Sequence, residues 1–297
     1  TRRYAVQRFL VLGPLNYDYT YFVNHIVRPG ETIASARLEM ACGGKGFNQA
    51  AALAKAGADV YLAGLVGADG DDLLRTARGY GVNCDFVAGS EERTGNAIIQ
   101  VEESGQNSIV LFGGANRKWT DEYREEVLGH FGKGDILILQ NEVNDGGKIV
   151  NSAGKRGMEI VLNPSPFEPG ILDWDLGKVS LFLLNEVEGE QMTGAREPGK
   201  ILDGLLARFP ASSVVLTLGE KGAWYADGAQ RCFCPARKTQ AVDTTAAGDT
   251  FSGYFLAARS RQMDTERCLQ IAAEAAAIAV SRRGASVSIP IWNEILI

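Results

Sequence analysis

Short apolar runs alternate with longer segments of helical periodicity along most of this chain. Apolar runs of about four to eight residues between turn residues are typical of buried strands, whereas apolar residues three and four positions apart are typical of helices. The predicted strands are 9–12, 60–66, 135–139, 158–162, 179–184 and 213–218. The predicted helices are 46–56, 69–80, 120–131, 147–156 and 199–208. This alternation predicts an α/β fold with a mainly parallel sheet that carries helices on both faces.

Polar or glycine-rich segments follow five of these predicted strands. They are 13–16, 140–142, 163–166, 185–186 and 217–219. Because parallel strands end at the same edge of a sheet, these segments are expected to converge there and to form a ligand crevice.

Two segments, 16–40 and 94–112, interrupt the alternation because they have strand character without intervening helices. One interpretation is a small antiparallel sheet that stands over the crevice as a lid. The other is a simple extension of the main sheet. In either case we expect a single domain over residues 1–297 that contains these two segments.

A loop of small residues leads into an apolar helix at positions 241–258. The first amides of a helix lack intrahelical acceptors, and the helix dipole attracts anions, so Ala246, Ala247 and Gly248 leave room for a phosphate. Asp249 has two interpretations. Its carboxylate either complements the helix dipole as a capping residue does, or takes a proton from a hydroxyl that attacks the phosphate.

Composition and charge limit the kinds of partner that the protein is expected to bind and the compartment in which it is expected to lie. The chain has 30 basic and 36 acidic residues, a net charge of −6, which argues against a general polyanion-binding surface. No apolar run approaches the length of a membrane span, and the first eight residues are not followed by a long apolar signal core. We therefore expect a cytoplasmic protein that binds neither nucleic acid nor membranes.

The glycine-rich segment 43–46 resembles a phosphate-binding loop, but Gly46 stands where the Walker pattern requires Ser or Thr. The glycines still allow a ligand to approach the backbone. Asn48 follows in the first turn of the predicted helix, and amide side chains suit sugar hydroxyls. Lys45 either faces a phosphate or leaves its ammonium in water.

Two ordered signatures make the resemblance to a known family specific. The first is Gly-Gly-Lys-Gly-Phe-Asn-Gln-Ala at 43–50, and the second is Asp-Thr-Thr-Ala-Ala-Gly-Asp-Thr-Phe at 243–251. Between them lie Gly-Gly-Ala-Asn at 113–116, Asn-Pro-Ser-Pro at 163–166 and Asn-Glu-Val-Glu at 185–188. The chain resembles the ribokinase-like, or PfkB-type, carbohydrate kinases from about residue 9 to 290, and most of all the ribokinases among them. The resemblance implies a three-layer α/β/α core with a small β-sheet lid.

The resemblance also implies an activity, the ATP-dependent phosphorylation of a sugar hydroxyl, most simply of D-ribose to D-ribose 5-phosphate. Asp249 becomes the general base, and the amides of Ala246, Ala247 and Gly248 become the anion hole. The implied sugar contacts are Asn16, Asp18, Gly43, Gly44, Asn48, Glu142 and Asp249. Alternatives are a kinase for another sugar, a nucleoside or a sugar phosphate, and a sensor that has lost turnover.

For the nucleotide and the cations, the resemblance implies three further groups of residues. The implied ATP-binding residues are Asn185, Thr217, Leu218, Gly219, Glu220, Lys221, Gly222, Gly248 and Asp249. Glu188 is implied to hold Mg²⁺ through water. The implied K⁺ site consists of Asp243, Thr245, Ala279, Arg282, Gly284 and Ser288.

Two departures from the family pattern concern specificity. Asn96 stands where ribokinases usually have a small or apolar lid residue near the sugar, which predicts a different sugar or an extra hydrogen bond. Ala273 lies where the family often has Asn or His near the adenine, which predicts loose base selectivity. Exposed lid strands that pair across a two-fold axis, as the family implies, predict a homodimer.

Overall fold

The computed structural model describes residues 7–104 and 106–296. Residues 1–6 and Ile297 of the predicted domain, and Gly105 of the predicted lid, lie outside this description. The strands are β1 (Arg8–Leu12), β2 (Asn16–Val23), β3 (Arg37–Gly43), β4 (Asp59–Val66), β5 (Asn83–Gly89), β6 (Gly95–Glu102), β7 (Asn107–Phe112), β8 (Ile136–Gln140), β9 (Glu159–Asn163), β10 (Leu181–Asn185), β11 (Ser213–Thr217), β12 (Ala223–Ala226) and β13 (Arg231–Cys234). The α-helices are α1 (Lys45–Lys55), α2 (Asp71–Gly79), α3 (Asp121–Gly129), α4 (Gly146–Lys155), α5 (Glu186–Thr193), α6 (Pro198–Arg208), α7 (Ala247–Ser260) and α8 (Thr265–Val280).

The main sheet has the strand order β13-β12-β11-β10-β9-β8-β1-β4-β5. All pairings from β11 to β5 are parallel, and β12 and β13 add an antiparallel edge. Gln140 lies opposite Asn163, and Asn185 lies opposite Thr217, so the strands end at one edge. The prediction of a mainly parallel sheet with converging polar ends is confirmed.

Side chains of β1 alternate between two hydrophobic cores, as the period of a strand requires. Phe9 and Val11 pack with the helices α1, α2, α7 and α8. Leu10 and Leu12 pack with α3 to α6 on the other face. The helices therefore form two layers around the sheet.

None of the helices in the described part of the chain is both long and apolar enough to cross a membrane.

The six predicted strands of the main sheet are present, and β8, β9 and β10 each end one residue later than predicted. Their last residues are Gln140, Asn163 and Asn185, polar groups that the apolar pattern assigned to loops. The pattern did not predict β5, which pairs only with β4 and carries exposed polar positions.

Segments 16–40 and 94–112 form a second, four-stranded sheet in the order β3-β2-β6-β7, and not an extension of the main sheet. We call this sheet the lid. Its outer pairs are antiparallel as expected, but β2 and β6 run parallel. The cause is topological. Strand β2 follows β1 and strand β6 follows β5, and β1 and β5 are parallel strands of the main sheet, so both lid strands start from the same edge and run in the same direction.

Candidate active site

The first turn of α1 lies very close to the end of β1. A Cβ atom on Gly46 would stand 2.7 Å from the carbonyl carbon of Gly13, so only glycine permits this approach. Gly44 precedes the helix with a φ of 94°, a left-handed conformation that favours glycine. This packing carries Asn48 and Gln49 beneath the crevice at the carboxyl edge of the sheet.

The helix α7 also begins at this edge. Ala246 precedes it with a φ of 59°, and no side chain caps its first amides. Among the described residues, the N–H groups of Ala246, Gly248 and Asp249 have no acceptor, whereas the N–H of Ala247 donates to the carbonyl of Thr244 at 3.2 Å. Of the amides predicted for the anion hole, those of Ala246 and Gly248 thus have no acceptor among the described residues, that of Ala247 is engaged in a turn, and the amide of Asp249 is also without an acceptor.

The Asp249 carboxylate is buried in the first turn of α7, and two side chains of α1 donate hydrogen bonds to it. Its Oδ1 accepts a hydrogen bond from Nε2 of Gln49 at 3.0 Å, and its Oδ2 accepts a longer one from Nδ2 of Asn48 at 3.4 Å. The side chain thus makes no hydrogen bond that caps its own helix. The dipole still favours its charge, but its contacts are with neighbouring side chains.

A cavity of about 240 Å³ opens between the two helix N-termini and the ends of β10 and β11. It brings together residues predicted for ATP, magnesium and catalysis. They are Asn185, Thr217, Glu188, Ala246, Ala247, Gly248 and Asp249. Leu218, Gly219, Glu220, Lys221 and Gly222 do not line it; the Leu218 side chain packs in the core, and Lys221 pairs with Glu186 at 3.4 Å.

Asn185 and Glu188 hold each other at the start of α5. The side chain of Asn185 accepts from the N–H of Glu188 at 2.9 Å, while Oε2 of Glu188 accepts from the N–H of Asn185 at 3.0 Å. This reciprocal capping uses one carboxylate oxygen. Oε1 of Glu188 has no hydrogen-bond partner in the described parts of the chain, and the residue lines the cavity.

Lys45 lies in the same cavity. Burial lowers the pKa of its ammonium, but the carboxylates of Asp249, Glu188 and Glu142 outweigh burial and hold the pKa above its ordinary value. Lys45 therefore stays charged among three carboxylates. Of the two interpretations from sequence, the structure places it at the crevice and not on the surface.

On the lid side of the crevice, Asp18 packs against the backbone of Gly43, where a Cβ atom would stand 2.1 Å from Oδ2 of Asp18. Within the described residues this carboxylate accepts no hydrogen bond. Burial, together with the charges of Glu142 and Asp249, raises the pKa of Asp18 to about 7. Burial also raises the pKa of Glu142, partly opposed by Lys45.

Asn116 orients Asn16, a role that the sequence reasoning missed. Its Nδ2 donates to Oδ1 of Asn16 at 2.7 Å, and its Oδ1 accepts from the N–H of Leu15 at 3.0 Å. The Nδ2 group of Asn16 therefore faces Glu142, whose Oε2 lies 3.5 Å away. The signal in the sequence is the Gly-Gly-Ala-Asn motif at 113–116, but the motif alone does not reveal which residue Asn116 contacts.

Asp243 joins the loops that hold most of the predicted cation residues. Thr245 lies in the loop before α7, Ala279 lies in the last turn of α8, and Arg282, Gly284 and Ser288 lie in the loop after α8. Oδ1 of Asp243 accepts from the N–H of Thr245, and its Oδ2 accepts from the N–H of Gly284, both at 2.9 Å. Burial would raise the pKa of Asp243, but these bonds and the charge of Arg283 outweigh it and lower the pKa. At the end of α8 the Ala279 carbonyl accepts from the N–H of Arg282 at 3.0 Å. The Ser288 hydroxyl donates to the carbonyl of Ala285 at 2.7 Å.

Comparison with known proteins connects this geometry to a family. The family profile of the pfkB family carbohydrate kinases matches residues 6–292. The chain belongs to this family. It is 34% identical to the ribokinase of Haemophilus influenzae over 299 residues, which cover 96% of each chain.

Two solved structures resemble this kinase over almost its whole length. One is the ribokinase of Cryptococcus neoformans in complex with ADP, with a TM-score of 0.88, 32% identity, and coverage of 98% and 99% of the two chains. The other is the ribokinase of Arabidopsis thaliana complexed with ribose and ATP, with a TM-score of 0.86, 30% identity, and 98% coverage of each chain. The predicted family and fold are confirmed.

The lid register corrects the expectation for Asn96. Asp18 lies opposite Ala97 in the β2 and β6 pair, and Asn96 lies opposite Tyr17. Because neighbouring residues of a strand point to opposite faces, Asn96 is on the face away from Asp18. The residue of β6 that lies opposite Asp18 is Ala97, which is small and apolar, so the departure at Asn96 does not change the side chain next to Asp18 on this face.

We expect Asp18→Asn to raise the Tm of the ligand-free kinase, and to raise it more at pH 8 than at pH 5. The folded-state pKa of Asp18 is about 7 against an ordinary value of 3.8, so the unfolded chain loses this proton at lower pH. The folded state therefore loses stability relative to the unfolded chain as the pH rises from 3.8 to about 7, and this loss stays constant at higher pH. Differential scanning fluorimetry at both pH values measures the effect.

The matched control for this prediction is Glu122→Gln, which neutralises an exposed carboxylate in the first turn of α3. Its effect on Tm should be small at both pH values. A Tm gain for Asp18→Asn that is equal at pH 5 and pH 8, or a loss at both, would contradict the assigned burial cost.

Proposed function

We propose that this chain catalyses the ATP-dependent phosphorylation of a sugar hydroxyl, with D-ribose as substrate and D-ribose 5-phosphate as product. One observation carries the proposal: Asp249, held by side chains of α1, lies in the first turn of α7 beside unpaired helix amides and a charged lysine. A carboxylate beside a phosphate site repels the phosphate, so its position there requires a functional explanation. Accepting the proton of an attacking hydroxyl is such a function.

In this mechanism the sugar hydroxyl lies between Asp249 and the terminal phosphate of ATP. The transferring phosphoryl group requires mainly alignment and compensation of its negative charge, so a weak base such as a carboxylate suffices. The amides of Ala246, Gly248 and Asp249 and the ammonium of Lys45 supply positive charge on the phosphate side. Asp249 accepts the proton as the new O–P bond forms and the bond to the ADP oxygen breaks.

The proposed sugar contacts combine donors and acceptors. Asn16 presents its Nδ2 because Asn116 occupies its Oδ1. Asp18 and Glu142 present carboxylate oxygens, which suit vicinal hydroxyls because each accepts two hydrogen bonds. The Arabidopsis thaliana relative of similar fold is described with ribose and ATP, which supports these two substrates.

The residues fit a magnesium ion that is bound mainly through water and phosphate. Glu188 provides one carboxylate oxygen that makes no hydrogen bond to the described residues, and it lines the same cavity as the unpaired amides. When bound, Mg²⁺ neutralises charge on the nucleotide phosphates. Asn185 keeps Glu188 in place through the capping pair.

The two loops that Asp243 joins, together with the end of α8, fit a K⁺ ion, because they offer one ionised carboxylate, a buried hydroxyl and backbone carbonyls. The first of these loops leads directly into α7. The proposed ligands are Asp243, Thr245, Ala279, Arg282, Gly284 and Ser288. Bound there, K⁺ adds positive charge next to the anion hole. Asp243 also joins the two loops, so it orders the site.

We also propose that the kinase forms a homodimer through the lid. Ile109 and Leu111 lie on the same lid face as Asp18 and are 54% and 52% exposed. Apolar exposure of this kind on a four-stranded sheet is typical of an interaction surface. A second lid laid on this face would cover both residues and exclude water from the sugar side of the crevice.

The proposed activity is tested with a coupled assay of ADP formation over ribose, 2-deoxyribose, other pentoses and hexoses, nucleosides and sugar phosphates. We expect ribose to give the highest kcat/KM. Asp249→Asn should lower kcat by about 100-fold or more, because a general base of this kind contributes at least that factor, with little change in sugar binding. If no compound is phosphorylated while ribose still raises the Tm, the chain is a sensor.

Replacing K⁺ by Na⁺ in this assay should lower kcat, because Na⁺ is more strongly hydrated and exchanges its water for carbonyl ligands less readily. In Asp243→Ala the rate should be low and equal in both salts, at constant ionic strength. A wild-type rate that is the same in both salts would contradict the proposed cation.

For the dimer, we expect sedimentation velocity to show two copies for the wild type and one for the double variant Ile109→Lys, Leu111→Lys. The reason is that two lysines cannot be buried in an apolar interface without charge partners. Val110→Lys, on the opposite lid face, is the control and should remain a dimer. Sedimentation of the wild type as a monomer would exclude this interface.

A further inference from the structure

A row of buried amide side chains lies beneath Asp249. Gln140, at the end of β8, is fully buried, and Gln49 of α1 is 1% exposed. Nε2 of Gln140 donates to Oε1 of Gln49 at 2.7 Å, and Nε2 of Gln49 donates to Oδ1 of Asp249 at 3.0 Å. None of the proposed catalytic steps uses these two glutamines, yet burying polar groups so deeply is costly unless they are paired.

The neighbours of Gln49 determine which end of its amide faces Asp249. Gln140 donates to the oxygen of Gln49, so the nitrogen must point the other way. Asn163 acts in the same direction: its Nδ2 donates to the carbonyl of Leu183 at 2.9 Å, which leaves its Oδ1 to accept from Nε2 of Gln49 at 3.4 Å. The anchored Asn163 thus turns the N–H of Gln49 toward the carboxylate, and the bond from Gln140, whose own Oε1 has no partner among the described residues, agrees with this orientation.

Gly13 leaves the space that this row needs. A Cβ atom at Gly13 would lie 2.0 Å from Oε1 of Gln140, so any larger residue at the end of β1 would displace the Gln140 amide. The glycine that lets α1 approach the sheet therefore also makes room for the first member of the row.

We propose that Gln49 is a positioning residue for Asp249, and that Gln140 and Asn163 set its donor orientation. This inference rests on the proposed function. The short bond from Gln49 holds Oδ1 of Asp249, while Oδ2 has only the 3.4 Å contact with Asn48 and is the oxygen directed to the sugar hydroxyl. Gln49 thereby distinguishes the anchored oxygen from the oxygen that accepts the proton.

Gln49→Glu tests this role because it keeps the shape of the side chain and removes the donor. The introduced carboxylate accepts from Gln140 with one oxygen and turns the other toward the Asp249 carboxylate. We expect kcat at pH 8.5 to fall about 100-fold, the size of effect that a misplaced catalytic group produces. The ribose Kd, measured by calorimetry without ATP, should change less than about threefold, because it depends mainly on other side chains.

Two further variants separate orientation from packing. Gln140→Met removes one hydrogen bond but leaves Gln49 free to donate, so its kcat should fall by less than about tenfold. Gln230→Glu, in the exposed turn between β12 and β13 at the opposite end of the sheet, is the control and should retain wild-type kcat. A packing role alone would make the isosteric Gln49→Glu the mildest of the site variants, which would overturn the proposal.

A double-mutant cycle provides a readout that does not require activity. Gln49→Glu should lower the Tm when residue 249 is Asp, because two carboxylates then meet. It should lower the Tm much less in the Asp249→Asn background, where the new amide donates to the introduced carboxylate. Additive changes in Tm would overturn the contact. If the wild type phosphorylates no sugar, the proposed function fails, and non-additive Tm values still support the Gln49 and Asp249 contact.

Discussion

The rest of the site depends on the close packing of the first turn of α1 against the end of β1. Gly13 and Gly46 meet there without side chains, at a separation where a Cβ atom would overlap backbone atoms. Gly253 of α7 packs in the same way on Ala52 of α1, where its Cβ would lie 2.4 Å from that of Ala52. These contacts bring the N-termini of two helices to one edge of the sheet. The helix dipoles and the unpaired amides then act on the same small volume.

The electrostatic character of the crevice follows from this convergence. Asp249, Glu188 and Glu142 place three carboxylates around the ammonium of Lys45, and Asp18 adds a fourth carboxyl group that interacts with Glu142 and Asp249. Burial of so many acids without ligand raises the pKa of Asp18 to about 7 and makes the ligand-free site costly to the fold. Groups that donate hydrogen bonds or positive charge to carboxylates would lower this cost, as the proposed sugar hydroxyls and hydrated cation do. The carboxyl groups that would bind ligands thus lower the stability of the ligand-free protein.

The separation of the lid from the main sheet shows how topology adds to local pattern. Strand alternation in the two lid segments was visible along the chain, yet alternation alone did not distinguish a separate sheet from an extension, nor reveal that β2 and β6 run parallel. The pairing register then decides which residues share the face of Asp18. Ala97 shares the face of Asp18 and Asn96 does not, although the two are adjacent in sequence. A shift of one residue reverses this assignment.

By itself, the sequence determined the parallel α/β core, the convergence of polar strand ends and the family, because periodicity and ordered motifs are properties of a linear chain. It also singled out Asp249 and the small residues before it. Only the tertiary structure decided what surrounds that carboxylate. Gln49 and Gln140 lie 91 positions apart, and Asn163 is still further along. Their amides acquire an orientation only when helix α1, strand β8 and strand β9 meet, because a hydrogen bond depends on distance and direction in space and not on separation along the chain.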